Sequence, residues 1–414
     1  MQLHPADQVL ASQMVVGDHS KDDFRTPQQV TTQDEQQGSA PASALGAPEK
    51  PKKRSLRVWF HDLSKKQKII FWLVTVLIIA GLAGGAYYLF FRTTTMPGKV
   101  VTVNKKPIVK EPPKPVTEAS KLSGLQVDPS VNARTVTGVM IENSQDARPQ
   151  SGLEQASVVF EAIAEGGITR FLALYQDNVP AYLGPIRSVR PYYLQWLQGF
   201  DAPVAHVGGS PEALQDIKTW GVKDLDQFFN GTYYHRITSR VAPHNVYTSM
   251  VELNQLEVKK GITGSTFTGF LRKAEEPSKA PTVHSIDLNI SSAFFNVHYD
   301  YDPVTNSYKR SEGGAPHLQI DQNGVRGQLA PKVVVALVMQ QGIEADDLHT
   351  SYAATGSGRA FIFQDGLVAD QAIWHKASNT DQITFTDTVG GPLKLNPGQT
   401  WLTAVGSADR VIYR

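Results

Sequence analysis

Residues 69–91 (IIFWLVTVLIIAGLAGGAYYLFF) contain no charged side chain. A helix rises about 1.5 Å per residue and about 20 apolar residues cross the hydrocarbon core of a bilayer, so this run predicts a transmembrane helix. Trp72 near one end and Tyr87 and Tyr88 near the other suit rings that favour the membrane interface. The apolar part of a cleaved signal peptide is roughly 7–15 residues and lies close to the N-terminus. This run is longer and follows 68 residues, which predicts an uncleaved signal anchor. Eight Lys/Arg in the twenty residues before it, against five in the twenty after, predict a cytoplasmic N-terminus. The larger part of the chain then lies outside the membrane.

The flanks of the span have no sustained apolar period. Residues 1–68, rich in Gln, Ser, Asp, Ala and Pro before a basic cluster, predict a disordered cytoplasmic tail. Residues 92–123 predict an extended Lys/Pro-rich stalk. Beyond it, VTGVMIEN (136–143) reads as a strand, and VVFEAIA and ITRFLALYQ read as a hairpin around Glu165-Gly166-Gly167. A helix is predicted over about 189–199 with Ser188 at its N-cap and Pro191 in its first turn. APVAHVGG (202–209) reads as a buried strand. Helices then follow at 210–221, with Ser210 as cap, and from Ser249, where Ser249 and Glu252 make a capping box.

After about 275 the pattern becomes strand-like: FNVHYDYDPVTNSYKRS, KVVVALVMQ and RAFIFQDGLVADQAIW. The expected fold is therefore α/β to α+β. A mixed-sheet N-terminal domain over 124–275 and a smaller β-rich C-terminal domain over 280–414 follow one transmembrane helix.

Charge and cysteine content narrow the function. The net charge of +1 divides into an excess of Lys/Arg in 1–119 (16 against 10 Asp/Glu) and an excess of Asp/Glu in 120–414 (29 against 24). The acidic main body argues against nucleic-acid binding. With no cysteine, disulfides, thiolate nucleophiles and a lipidated-Cys anchor are excluded.

IENSQDARPQSGLEQASVVFEAIAEGGITRFLALYQ, GPIRSVRPYYLQW and APHNVYTS resemble the N-terminal domain of the YerB-like bacterial envelope proteins. GSGRAFIFQDGLVADQAIWHK and DTVGGPLKLNPGQTWLTAVG are similar to their C-terminal domain. The resemblance covers about 125–414. It implies an α/β domain, a smaller second domain and an extracytoplasmic location, and it carries no established activity. The family is known mostly as lipoproteins, whereas this chain has residues 69–91 in place of a lipidated Cys.

Candidate chemistry centres on Arg187 and Arg190, three residues apart at the predicted helix start, where their guanidiniums could converge on a carboxylate or phosphate. Arg170, Ser188, His244 and Asn245 complete the candidate ligand-binding set. The competing reading is an internal ion-pair network with Glu142, Glu161 or Glu165. Glu161 and Glu165 have the same parity and should share one strand face, ~13 Å apart at ~3.3 Å per residue. That separation is too long for paired-carboxylate hydrolysis unless a bulge intervenes. His206, His235 and His244 lack a metal-ligand spacing, so no metal site and no cofactor are expected. His206-Val-Gly-Gly-Ser210 lacks the pattern of a nucleophile elbow.

The leading expectation is a membrane-anchored envelope protein that binds an anionic or cell-wall-derived ligand, or a protein partner. The alternative is a cell-wall-directed hydrolase or transferase with an acid–base pair drawn from Glu142, Glu161, Glu165, His206 and His244.

Overall fold

The computed structural model describes residues 60–91 and 116–414. The expected disordered tail up to residue 59, its basic residues at 50–57, and the stalk from 92 to 115 lie outside the described residues.

The apolar run forms one helix, α1 (Lys65–Phe91), with no buried residue. Ser64 and Gln67 start it with a capping box. The Ser64 N–H donates to Gln67 Oε1 at 3.0 Å and the Gln67 N–H to Ser64 Oγ at 3.4 Å, satisfying donors that a first turn leaves open. Inside the span, the Thr75 hydroxyl donates to the Phe71 carbonyl at 2.8 Å, so it presents no unpaired donor to a hydrocarbon surrounding. At ~1.5 Å per residue the helix is about 40 Å long, enough to cross a ~30 Å apolar core.

Residues 116–414 are described by themselves. Their main strands are β1 (Thr137–Glu142), β2 (Val158–Glu165), β3 (Ile168–Tyr175), β4 (Val204–Ala205), β5 (Ser285–Leu288), β6 (Val297–Asp302) and β7 (Ser307–Glu312). They continue with β8 (Ala315–Pro316), β9 (Val333–Val338), β10 (Gly356–Gln364), β11 (Leu367–Lys376), β12 (Thr384–Thr386), β13 (Thr400–Val405) and β14 (Val411–Tyr413). Nine strands form one mixed sheet in the order β12-β11-β10-β9-β13-β2-β3-β1-β4. β13 runs parallel to both β9 and β2, and β1 parallel to β4. The second sheet, β8-β7-β6-β5-β14, is antiparallel throughout. The α/β to α+β expectation holds.

Three helices pack on this frame: α2 (Pro191–Gln198), α3 (Pro211–Trp220) and α4 (Met250–Lys259). All six residues of β13 (TWLTAV) are buried, Thr400 and Thr403 included, as in a strand covered on both faces. One face carries the α2 aromatics Tyr192, Tyr193 and Trp196 together with Ile286, Val297 and Tyr299 of the second sheet. The other carries Leu253 and Leu256 of α4 with Val159, Phe171 and Trp401.

Local signals in the sequence place several of these elements. Gly166 and Gly167, with φ of 55° and 78°, make the two-residue β2–β3 turn, where both positions must be left-handed. Ser210 caps α3 by accepting the Ala213 N–H at 3.4 Å, with Pro211 at the first helical position. Ser249 Oγ accepts the Glu252 N–H at 3.2 Å and donates to its carboxylate at 2.9 Å.

Two expectations differ from what is observed. The strand expected at 202–209 shrinks to Val204–Ala205, because the Val207 and Ser210 N–H groups turn to the carbonyls of Arg187 and Val189. Residues 116–123, read as the end of the stalk, join the folded body: Glu118–Ala119 pair with Gln126–Val127, and Leu122 is fully buried. Strands from either side of residue 275 share the nine-stranded sheet, since β13 lies between β9 and β2.

Candidate functional site

The segment carrying Arg187 and Arg190 is extended. The Arg187 N–H donates to the Met140 carbonyl and the Val189 N–H to the Gly208 carbonyl, so the chain is held beside β1 until Pro191 starts α2. Arg190, not Ser188, occupies the N-cap position. Residues three apart in an extended chain point to opposite sides. The two guanidiniums accordingly diverge, one to Glu165 and the other to Glu142.

Glu161 and Glu165 diverge as well, contrary to the parity argument. A register shift between Ile163 and Glu165 inserts a bulge in β2 and reverses the alternation. Glu161 pairs with Phe171 and faces the core of Val159 and Trp401. Glu165 turns to the other face, where Arg170 reaches it from β3 at 2.7 Å and Arg190 also contacts it. Arg170 donates besides to the carbonyl and hydroxyl oxygens of Ser188, at 2.8 and 3.2 Å, and Arg190 to the Val189 carbonyl at 2.7 Å. Burial alone would raise the Glu165 carboxyl, but Arg170 and Arg190 outweigh it and hold it below its ordinary value. Two of the candidate arginines and Ser188 are thus committed to an internal network. The aromatic run that follows is core and tether: Tyr192 donates to the Ile163 carbonyl at the bulge and Tyr193 to that of Arg170.

Glu161 anchors a second, fully buried network. Arg310 of β7 donates to Glu161 Oε1 at 2.9 Å, to His317 Nδ1 at 2.8 Å and to the Tyr299 hydroxyl at 2.7 Å. Trp401 Nε1 donates to Glu161 Oε2 at 2.9 Å. Nearby Glu312 accepts from Asn143 and Arg148, and burial pushes its carboxyl up to about 7. Burial, with Arg310 and Arg148, drives His317 well below its ordinary value, as suits a ring that accepts from Arg310 at Nδ1 and meets Gln150 Oε1 at Nε2. This network ties the two sequence segments together and gives Glu161 a structural place.

The remaining candidates meet at the end of β1. Glu142 Oε1 lies 2.9 Å from His244 Nδ1, 2.9 Å from the Ser144 hydroxyl and 3.3 Å from Arg187 Nε. Its Oε2 is buried with no hydrogen-bond partner among the described residues. His244 Nε2 points towards Asp146 at 3.9 Å. The side chain of Glu142 is 4% exposed, against 17% for His244 and 27% for Arg187, so a buried carboxylate stands behind the more accessible imidazole and guanidinium. Among the described residues, no hydrogen bond or ion pair engages the terminal nitrogens of Arg187. Ser144 and Asp146 escaped the sequence reading, and only the short run Glu142-Asn-Ser144-Gln-Asp146 hinted at them.

Asn245 braces the neighbouring loop instead of facing outward. It accepts from Arg236 at 2.7 Å and donates to the Ile237 and Arg240 carbonyls, while Arg240 itself reaches the carbonyl of Pro149. His206 is fully buried between the Gly208 carbonyl and Asp224, and among the described residues no hydrogen bond or ion pair joins it to Glu142 or His244. A cavity of about 310 Å³ lined by Arg134, Gln176, Met250, Glu257 and Ile262 includes none of the sequence candidates.

An apolar helix followed by a mixed-sheet body with two interior ion-pair networks defines the class, and the comparisons give it a family. The chain belongs to the family described as protein of unknown function (DUF3048), whose N-terminal domain matches residues 122–263 and whose C-terminal domain matches 286–402. It is 30% identical over 292 residues to "Putative lipoprotein YerB" of Bacillus subtilis (strain 168), covering 70% of this chain and 86% of that protein. The crystal structure of YerB protein from Bacillus subtilis matches with a TM-score of 0.63 and 29% identity, over 72% of this chain and 99% of that one. The resemblance read from the sequence motifs is therefore correct.

Proposed function

We propose that this protein is held in the cytoplasmic membrane by α1, with its N-terminus inside and residues 116–414 in the cell envelope. There it binds a ligand bearing a carboxylate or phosphate, such as a cell-wall-derived fragment. The observation that carries the binding reading is the free, accessible guanidinium fork of Arg187 beside His244. Glu142 already meets three groups at one oxygen, so its charge is largely compensated and the fork is left to pair with an incoming anion. The anchor reading is supported by the apolar helix and by the lipoprotein name of the B. subtilis relative.

A second reading rests on the Glu142–His244 contact. A carboxylate on Nδ1 orients an imidazole so that Nε2 can act as general base or acid. Ser144 shares the Nδ1 side, so it is not placed as a nucleophile activated by Nε2.

Thermal unfolding of the detergent-solubilised chain with muropeptides and teichoic-type phosphates tests the binding reading. A ligand at one hundred times its Kd stabilises by ~2.7 kcal/mol, and Arg187→Ala is expected to abolish that shift. A shift that survives the substitution refutes the site. Turnover of the same ligand, lost in His244→Asn, would establish the enzymatic reading.

A further inference from the structure

We propose that the turn between residues 343 and 350 holds a divalent transition-metal cation, with Glu344, Asp346 and His349 as its protein ligands. None of the three belongs to the Glu142 cluster or to the histidines His206, His235 and His244, whose spacing predicts no metal site.

The local backbone builds the site. Gln341–Ile343 pair with Thr350–Tyr352, and the Glu344 N–H donates to the His349 carbonyl at 2.7 Å, closing the turn. Asp346 Oδ1 accepts the N–H groups of Leu348 and His349 at 3.1 and 3.0 Å, which fixes its carboxylate over the turn while Oδ2 meets His349 Nδ1. One donor atom from each of the three side chains lies within 4.8 Å of the others.

The observation that asks for a ligand is Glu344. It is only 5% exposed, and both of its carboxylate oxygens are buried without a well-formed hydrogen bond among the described residues, although the Ser210 hydroxyl at the cap of α3 lies near enough to influence the carboxyl. Buried charges are normally paired or bound to metal. Arg190, whose charge reaches Glu344, is already bonded to Glu165. A cation at the shared face of Glu344, Asp346 and His349 would satisfy the bare carboxylate.

The donor set selects the ion. Two carboxylates and one imidazole suit Zn²⁺ or Mn²⁺, and the imidazole disfavours Mg²⁺ and Ca²⁺. Three protein ligands leave a further position for water or a ligand atom. His349 bridges to Glu165 through the backbone, so the cation would sit beside the Glu165–Arg170–Arg190 network.

The test is calorimetric titration of EDTA-treated, full-length protein in detergent with ZnCl₂, alongside Co²⁺ loading read by visible absorption. One equivalent of Zn²⁺ is expected in the wild type, with affinity at least ~10-fold weaker in Glu344→Gln, Asp346→Asn and His349→Ala. The Co²⁺ bands should vanish in His349→Ala. Unfolding temperatures without metal report whether each variant folds. Should Glu344→Gln fail to fold, His349→Ala in the loop carries the test. Zn²⁺ affinity and stoichiometry unchanged in His349→Ala, or no Zn²⁺ uptake by the wild type, would overturn the proposal.

Discussion

Glu257 on α4 is 3% exposed and accepts a 2.6 Å hydrogen bond from the Thr137 hydroxyl on β1. Burial is the largest influence on its carboxyl. It outweighs the Thr137 hydrogen bond and the charge of Lys223, and the carboxyl is pushed up from 4.5 to about 7. A folded-state value above the unfolded one means that folding favours the protonated form. The associated stability is fully present below pH 4.5 and is lost as pH rises through 7. At about 1.36 kcal/mol per pH unit, the loss is about 3 kcal/mol. Glu257→Gln keeps an acceptor for Thr137 and cannot ionise. Urea unfolding of the solubilised chain, followed by tryptophan fluorescence between pH 4 and 8, should therefore show the wild type losing about 3 kcal/mol relative to the variant. The two should be close at pH 4, and the variant should be the more stable at pH 8. Glu312 titrates in both proteins and drops out of the difference. Parallel pH profiles would refute the assignment of a buried, protonated Glu257.

Arg310→Met should destabilise by about 3–5 kcal/mol in the same urea assay, because it leaves the buried Glu161 carboxylate without its cation. A change below ~1 kcal/mol would show that the network is not what joins the two segments. The absence of cysteine makes topology directly measurable. A single Val304→Cys at a 91% exposed position should react with a membrane-impermeant maleimide in intact cells if residues 116–414 face outward. Labelling only after lysis would reverse the proposed orientation.

Where the physics is short-range, the sequence was legible. The β2–β3 turn needed two left-handed residues, and Gly166-Gly167 supply them. Ser210-Pro211 and Ser249…Glu252 satisfy the open donors of a helix start, and both helices begin there. Local pattern misleads where one residue changes the frame. The bulge before Glu165 reversed the strand's alternation, and the hydrogen bonds of Arg187 and Val189 kept that segment extended past the expected helix start. A strand has no sequence mark that announces a bulge as glycine announces this turn.

The charged residues divide in the same way. The sequence named Glu142, Glu165, Arg170, Arg187, Arg190 and His244, and the structure puts every one of them in an ion pair. It could not say which pairs with which, nor that Arg187, unlike Arg170 and Arg190, keeps its fork free of a partner among the described residues. By itself the sequence determined an apolar span, the caps and turns of individual elements, and the family motifs, because these follow from a residue and its near neighbours in a given solvent. Only the tertiary structure decided the insertion of β13 beside β2, the partners of Glu161 and Glu165, and the bare carboxylate of Glu344. Glu161 and Arg310 are 149 residues apart in sequence. Their pairing exists because sheet register and burial bring them together where water cannot compete, and no local pattern records that meeting.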